Sequence, residues 1–153
     1  MEIKNKKAYF NYFIEEEYEA GIALFGSEIK SVRLGSVNIK DSYVRIKNNE
    51  MYIINAYIAK YETGSIFNHD EYRERKLLLH KKEIIKISEK VSKEGYTLIP
   101  LKVYIKGNKA KVLVGLCKGK KLYDKRESMK EKDMKREGRL WNLKKLNLLK
   151  NKL

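Results

Sequence analysis

Residues 97–117 read Thr97-Leu-Ile-Pro-Leu-Lys-Val-Tyr-Ile-Lys-Gly-Asn-Lys-Ala-Lys-Val-Leu-Val-Gly-Leu-Cys117, and this stretch decides the fold. Ile99, Leu101, Val103 and Ile105 alternate with Pro100, Lys102, Tyr104 and Lys106. Gly107-Asn108 supplies a two-residue turn, and Ala110, Val112, Val114 and Leu116 alternate on the return. A period of two places one face on a core and the Lys- and Tyr-rich face in water, which predicts a β-hairpin. Pro100 lacks an N–H donor, so its end of the strand is expected at an edge or a bulge.

Upstream, the aromatic, alternating residues 9–14 are expected to form a strand that ends at Glu15–Glu17. Residues 22–34 read as a second extended stretch with a bend at Gly26, closed by Gly35. Residues 43–47 and 50–58 flank Asn48-Asn49, a hairpin turn because Asn tolerates positive φ. One helix is expected over 80–94, where Ile84, Ile87 and Val91 recur at helical spacing and Gly95 stands at the C-cap position. Residues 59–76 read as a loop ending in Arg73, Arg75 and Lys76. Short antiparallel strands with a well-marked helix predict a mainly β domain over 1–117, a small barrel of the oligonucleotide-binding type.

The chain of 153 residues carries a formal net charge of +15. Residues 118–153 hold 14 Lys or Arg against 5 Asp or Glu, a net of +9. Good helix formers without strand alternation make this segment a basic tail, expected to be disordered when free and to fold on a charged partner. Such a field attracts polyanions, nucleic acid first. The single Cys117 excludes an intrachain disulfide and, with no signal-type apolar run and no stretch of membrane-spanning length, points to a cytoplasmic protein without a membrane partner.

No catalytic constellation emerges. His69, His80 and Cys117 lack metal-ligand spacing, and the acidic run Glu15, Glu16, Glu17 and Glu19 has no nucleophile beside it. Neither a cofactor, nor a metal, nor a small-molecule ligand, nor an enzymatic activity is expected. RNA binding is better supported. Tyrosines number 11, many beside Lys or Arg, and Tyr12, Tyr43 and Tyr57 are candidates for base stacking. In the run Arg75-Lys76-Leu77-Leu78-Leu79-His80, two cations precede an apolar anchor, an arrangement that also suits a plain helix entry. The basic cluster from Lys118 to Arg126, with Tyr123 inside it, suits ribosomal or transfer RNA.

Several segments together resemble the SsrA-binding (small protein B) family. They are Asn5-Lys6-Lys7-Ala8, Tyr12-Phe13-Ile14-Glu15, Glu19-Ala20-Gly21-Ile22 and Glu28-Ile29-Lys30-Ser31 with Arg33 and Gly35. Asn38, Asp41-Ser42-Tyr43-Val44, Arg73, Arg75 to His80, Glu94-Gly95-Tyr96-Thr97, Gly119-Lys120-Lys121 and Asp124-Lys125-Arg126 follow in order. The resemblance implies a barrel that binds the tRNA-like domain of transfer-messenger RNA. It also implies delivery, with elongation factor Tu, to stalled ribosomes, where the tail meets small-subunit RNA near the decoding centre and fills the empty messenger channel. Carried over by position, Asn5, Tyr12, Glu19, Lys30, Arg33, Tyr43, Arg75, Lys76, Leu78 and His80 are the expected RNA-binding residues. Gly119, Lys120, Lys121, Tyr123, Asp124, Lys125, Arg126 and Lys130 are the expected ribosome-binding residues. Glu71 stands where the family often has Pro, and Tyr123 where it often has His. The competing reading is a general or ribosomal RNA-binding barrel without selectivity for transfer-messenger RNA.

Overall fold

In the computed structural model, which describes residues 1–61 and 68–120, a short strand β1 (Glu2–Lys4) leads to helix α1 (Lys6–Asn11). The long strand β2 (Tyr12–Ile22), helix α2 (Gly26–Arg33) and strand β3 (Val37–Asn38) follow. Strands β4 (Tyr43–Lys47), β5 (Glu50–Ile54), β6 (Tyr57–Ile58) and β7 (Arg75–Leu78) come next. Helix α3 (Lys81–Glu94) and the hairpin of β8 (Thr97–Lys106) and β9 (Lys109–Gly119) complete the unit Met1–Gly119. The tail, including the expectations placed on it, lies outside the described residues beyond Lys120.

Seven strands form one sheet in the order β1-β8-β9-β2-β7-β5-β4, with every neighbouring pair antiparallel. Strand β4 packs beside β8, so the sheet curls towards closure as a barrel, in accord with the expected fold class. Strands β3 and β6 pair separately. Ala20, Met51, Ile53, Leu77, Val112, Val114 and Leu116 fill the interior. Ile84 and Ile87 of α3 join them, each such side chain contributing about 1.5–3 kcal/mol on full burial. Gly95 ends α3 in the left-handed region at φ 71, as its position predicted.

The hairpin stands where the alternation put it, with Gly107 at φ 63. Its faces differ from expectation. Pro100 pairs with Val114 and Lys102 with Leu113, so Leu101 is an extra, bulged residue. The bulge puts Ile99 and Leu101 on the opposite side from Val103 and reverses the alternation. Those two residues, Ala8 and Cys117 form a second core beneath α1, so this end of the hairpin is buried on both sides. Asn48 and Asn49 both take positive φ, 54 and 58, as the predicted turn requires. The strand after them stops at Ile54, because Asn55 turns it at φ 58 before β6 begins.

Two segments are corrected. Residues 9–11 belong to a helix, because the Asn5 side chain accepts the Ala8 N–H at 3.1 Å and caps α1 before the aromatic run begins. Strand β2 then passes straight through Glu15–Glu17, where a bulge between Ile14 and Glu16 absorbs one residue. Residues 26–33 are helical where an extended stretch was expected. The Glu28 carboxylate accepts the Phe25 N–H at 2.8 Å at the start of α2. At its end Gly35 N–H donates to Val32 O at 2.9 Å and Ser36 N–H to Ser31 O at 3.0 Å, a Schellman closure with Gly35 at φ 76. Arg75-Lys76 opens a strand in mid-sheet and is not a helix entry.

Candidate nucleic-acid interface

Three of the expected residues, Asn5, Tyr12 and Tyr43, line one open cavity of about 250 Å³. Asn5 is buried and organises its floor. The Nδ2 amide donates to Pro100 O at 2.9 Å and Ile39 O at 3.2 Å, and the backbone N–H to Leu101 O at 2.8 Å. One side chain thus ties α1, the bulged strand and the segment before β4. Tyr12 starts β2, and Tyr43 starts β4 with 38% of its surface exposed. The Arg45 guanidinium lies 5.8 Å from the Tyr43 ring. Lys7 Nζ meets Asp41 Oδ1 at 2.9 Å, and exposed Lys40 completes the rim. Two aromatic rings and two ammonium groups can stack bases and meet phosphates.

Farther along β2, Glu19 accepts from Tyr104 Oη at 2.5 Å and from Lys106 Nζ at 3.3 Å. These donors, Tyr104 first, hold its carboxyl below the usual range, while burial and the carboxylate push the Tyr104 phenol up to about 12. Glu16 is held low in the same way by Lys90 and Tyr18. Carboxyls fixed in their ionised form are poor general acids. Among the described residues no three His, Cys, Asp or Glu gather as a metal site. Cys117 is fully buried, and burial with the charge of Glu17 raises its thiol to about 11.

Lys76, Leu78 and His80 are exposed along β7 and the entry to α3, where His80 is the N-cap. Lys76 pairs with Glu50 at 3.1 Å, and Leu78 lines a second open cavity of about 330 Å³ with Lys109 and Lys111. Lys30 and Arg33 sit in the last turn of α2, Lys30 with its ammonium 5.2 Å from the Tyr61 ring centroid. Arg75 is the correction among the expected contacts. It is 0% exposed, paired through Nε with Glu28, and donates to the carbonyls of Ala56, Asp70 and Glu71. No face remains for a phosphate, so its work is internal. Arg73 supplies a second bond to Glu28 at 2.6 Å. Sequence reasoning also passed over Lys7, Lys40, Lys109 and Lys111, because in a chain this rich in lysine no local signal marks the four that rim a cavity.

Of the expected ribosome contacts, Gly119 ends β9 opposite Tyr12 and Lys120 follows it, half-buried. Lys121, Tyr123, Asp124, Lys125, Arg126 and Lys130 lie outside the described residues. No described helix is long and apolar enough to cross a membrane.

The family model described as SmpB protein matches residues 2–142. An SsrA-binding protein of Shouchella clausii is 58% identical over 134 residues, 88% of this chain and 86% of the relative. That of Persephonella marina is 59% identical over 133 residues, 87% of this chain and 88% of the relative. A solved chain from the work described as "tmRNA-SmpB: a journey to the center of the bacterial ribosome" superposes with a TM-score of 0.68 at 47% identity, covering 84% of this chain and 94% of the other. With the match running through the whole barrel and on into the basic segment, the chain belongs to the SmpB family of SsrA-binding proteins.

Proposed function

We propose that this chain is the RNA-binding adaptor of trans-translation and has no catalytic chemistry of its own. Its barrel binds the tRNA-like domain of transfer-messenger RNA in the cytoplasm. With elongation factor Tu it brings that RNA to ribosomes stalled without a stop codon. The segment 118–153 then occupies the empty messenger channel near the decoding centre. The observation that carries this reading is family membership that extends over both the barrel and the basic segment. Tyr12 and Tyr43 on one cavity with Lys7 and Lys40 at its rim support it. So does the exposed line Lys76, Leu78, His80 beside Lys109 and Lys111.

The energetics agree. A messenger channel is walled by phosphates, so its occupant must be slender and cationic, and counterion release offsets the cost of ordering a +9 segment. Selectivity must come from stacking and shape, which salt weakens less than it weakens phosphate contacts. The test is a competition titration at physiological salt between transfer-messenger RNA and an elongator tRNA. Transfer-messenger RNA should win clearly, and equal affinity would return the chain to general RNA binding.

A further inference from the structure

Next to the first cavity, which shares Asp41 with it, Asn38, Asp41, Asn55, Tyr57 and Tyr72 line an open cleft of about 400 Å³. The rings of Tyr57 and Tyr72 meet at 5.4 Å between centroids with a tilt of 53°. Tyr72 is 56% exposed, and both tyrosines are anchored nearby. The Tyr57 hydroxyl is bonded to Glu71, and the Tyr72 N–H donates to Asp70 Oδ1 at 2.9 Å.

The polar groups of the cleft are half used. Asn38 Oδ1 accepts the Lys40 N–H at 2.9 Å, which leaves the Nδ2 amide as a donor. Asn55 Nδ2 donates to the Asp41 carbonyl at 3.2 Å, which leaves Oδ1 as an acceptor. Asp41 Oδ1 accepts from Lys7 Nζ at 2.9 Å, which leaves Oδ2. The cleft therefore offers two aromatic faces, one amide donor and two acceptors, one of them anionic. A guanine edge presents the complement, two N–H donors beside one carbonyl acceptor. Adenine offers a single donor group and would leave one acceptor of the cleft without a base partner. We propose that this cleft holds one unpaired guanine of an RNA, stacked on the exposed ring of Tyr72 with the tilted Tyr57 ring beside it, and read by Asn38, Asp41 and Asn55. The proposal rests on the RNA-binding reading above and adds a base-specific site to it.

The test uses the full chain and the labelled pentaribonucleotides UUGUU, UUAUU and UUIUU, the inosine lacking the 2-amino group. The guanine oligomer should bind about tenfold more tightly than the adenine one, with inosine between them. Tyr72→Ala should lower guanine affinity about tenfold, within the range of one lost base–tyrosine stack, whereas Tyr72→Phe should keep it. Asn55→Gly, which tolerates the φ of 58 at that position, should erase the preference for guanine over adenine. Melting curves check that these variants fold. Titrations of Tyr72→Ala with transfer-messenger RNA alone and with small ribosomal subunits identify the source of the base, since affinity should fall only for the RNA that supplies it. Equal binding of all three pentamers, or unchanged affinity of Tyr72→Ala for every RNA, overturns the proposal. In that case tight, selective binding of transfer-messenger RNA by the wild-type chain would leave the adaptor reading standing.

Discussion

Replacing Glu28 by Ala would strip the buried cation Arg75 of its counter-ion. Both side chains are 0% exposed, whereas Arg73, the second partner, is 27% exposed and can turn to water. Arg75 would keep its bonds to Ala56, Asp70 and Glu71 but lose the carboxylate that compensates its charge. Removing one member of a buried pair costs about 3–5 kcal/mol. Against a total stability of about 5–15 kcal/mol, that is a large fraction. With a urea m-value of about 1.5 kcal/mol/M, the midpoint should fall by about 2–3 M. Glu28→Gln keeps an acceptor and should cost less, about 1–3 kcal/mol. Burial alone would raise the Glu28 carboxyl, but Arg73, the Phe25 N–H and Arg75 outweigh it and hold it below its ordinary value. A carboxyl lowered in the folded state stabilises above its unfolded pKa of about 4.3, and that contribution fades as pH falls through the folded value. The wild-type chain should therefore lose this increment of stability on acidification below about pH 4.3, and Glu28→Gln should lack it. A midpoint shift under about 0.5 M for Glu28→Ala at unchanged m, or identical acid profiles for wild type and Glu28→Gln, would refute the reasoning.

Tyr12→Ala and Tyr43→Ala should each weaken binding of transfer-messenger RNA by about 1–3 kcal/mol in a titration, with a smaller effect on melting. Ending the chain at Gly119 should leave the barrel folded and bound to transfer-messenger RNA, yet abolish peptide tagging on ribosomes stalled at a messenger's 3′ end; tagging that persists would overturn the assignment of the tail. Cys117, with its thiol raised to about 11 and its side chain buried, should resist iodoacetamide at pH 8 until urea unfolds the protein, and rapid labelling of the native chain would contradict that burial.

The hairpin at 97–119, the Asn48-Asn49 turn and helix α3 were legible because each is specified by residues near one another in sequence. The misread segments are governed from afar. Nothing within 26–33 announces that Glu28 will meet arginines 45 and 47 residues later, and that meeting anchors the first turn of α2. Residues 9–11 alternate like a strand, but Asn5 caps a helix there while its amide reaches Pro100, 95 residues away. Pro100 marked an edge or a bulge, and the bulge is there at Leu101, but nothing showed that it would split the faces, since Ile99 and Leu101 are as apolar as the residues of the other core. For the site, residue types pointed to Tyr12, Tyr43 and Leu78, which stand at cavities, but Arg75 looks in sequence like the phosphate ligand that its burial forbids. Tyr57 stands out in sequence as a stacking candidate, but the cleft it shares with Tyr72 was not legible because its members come from three separate stretches, 38–41, 55–57 and Tyr72.

The register of the sheet also sets when the protein can fold. Glu2 pairs with Tyr104, and Tyr12 with Gly119, so the earliest strands find their partners only in the last hairpin of the unit. During synthesis β2 has neither of its neighbours until β7 and then β9 emerge, and α1 has no surface to cover before Ile99 and Leu101 arrive. Pairings of such long sequence separation make folding slow for a domain of this size, since loop closure must precede most of the stabilising contacts. A nascent chain interrupted before Arg75 would thus expose β2 along both edges, and one interrupted before β9 would still expose the long edge that β9 covers, an open template for aggregation.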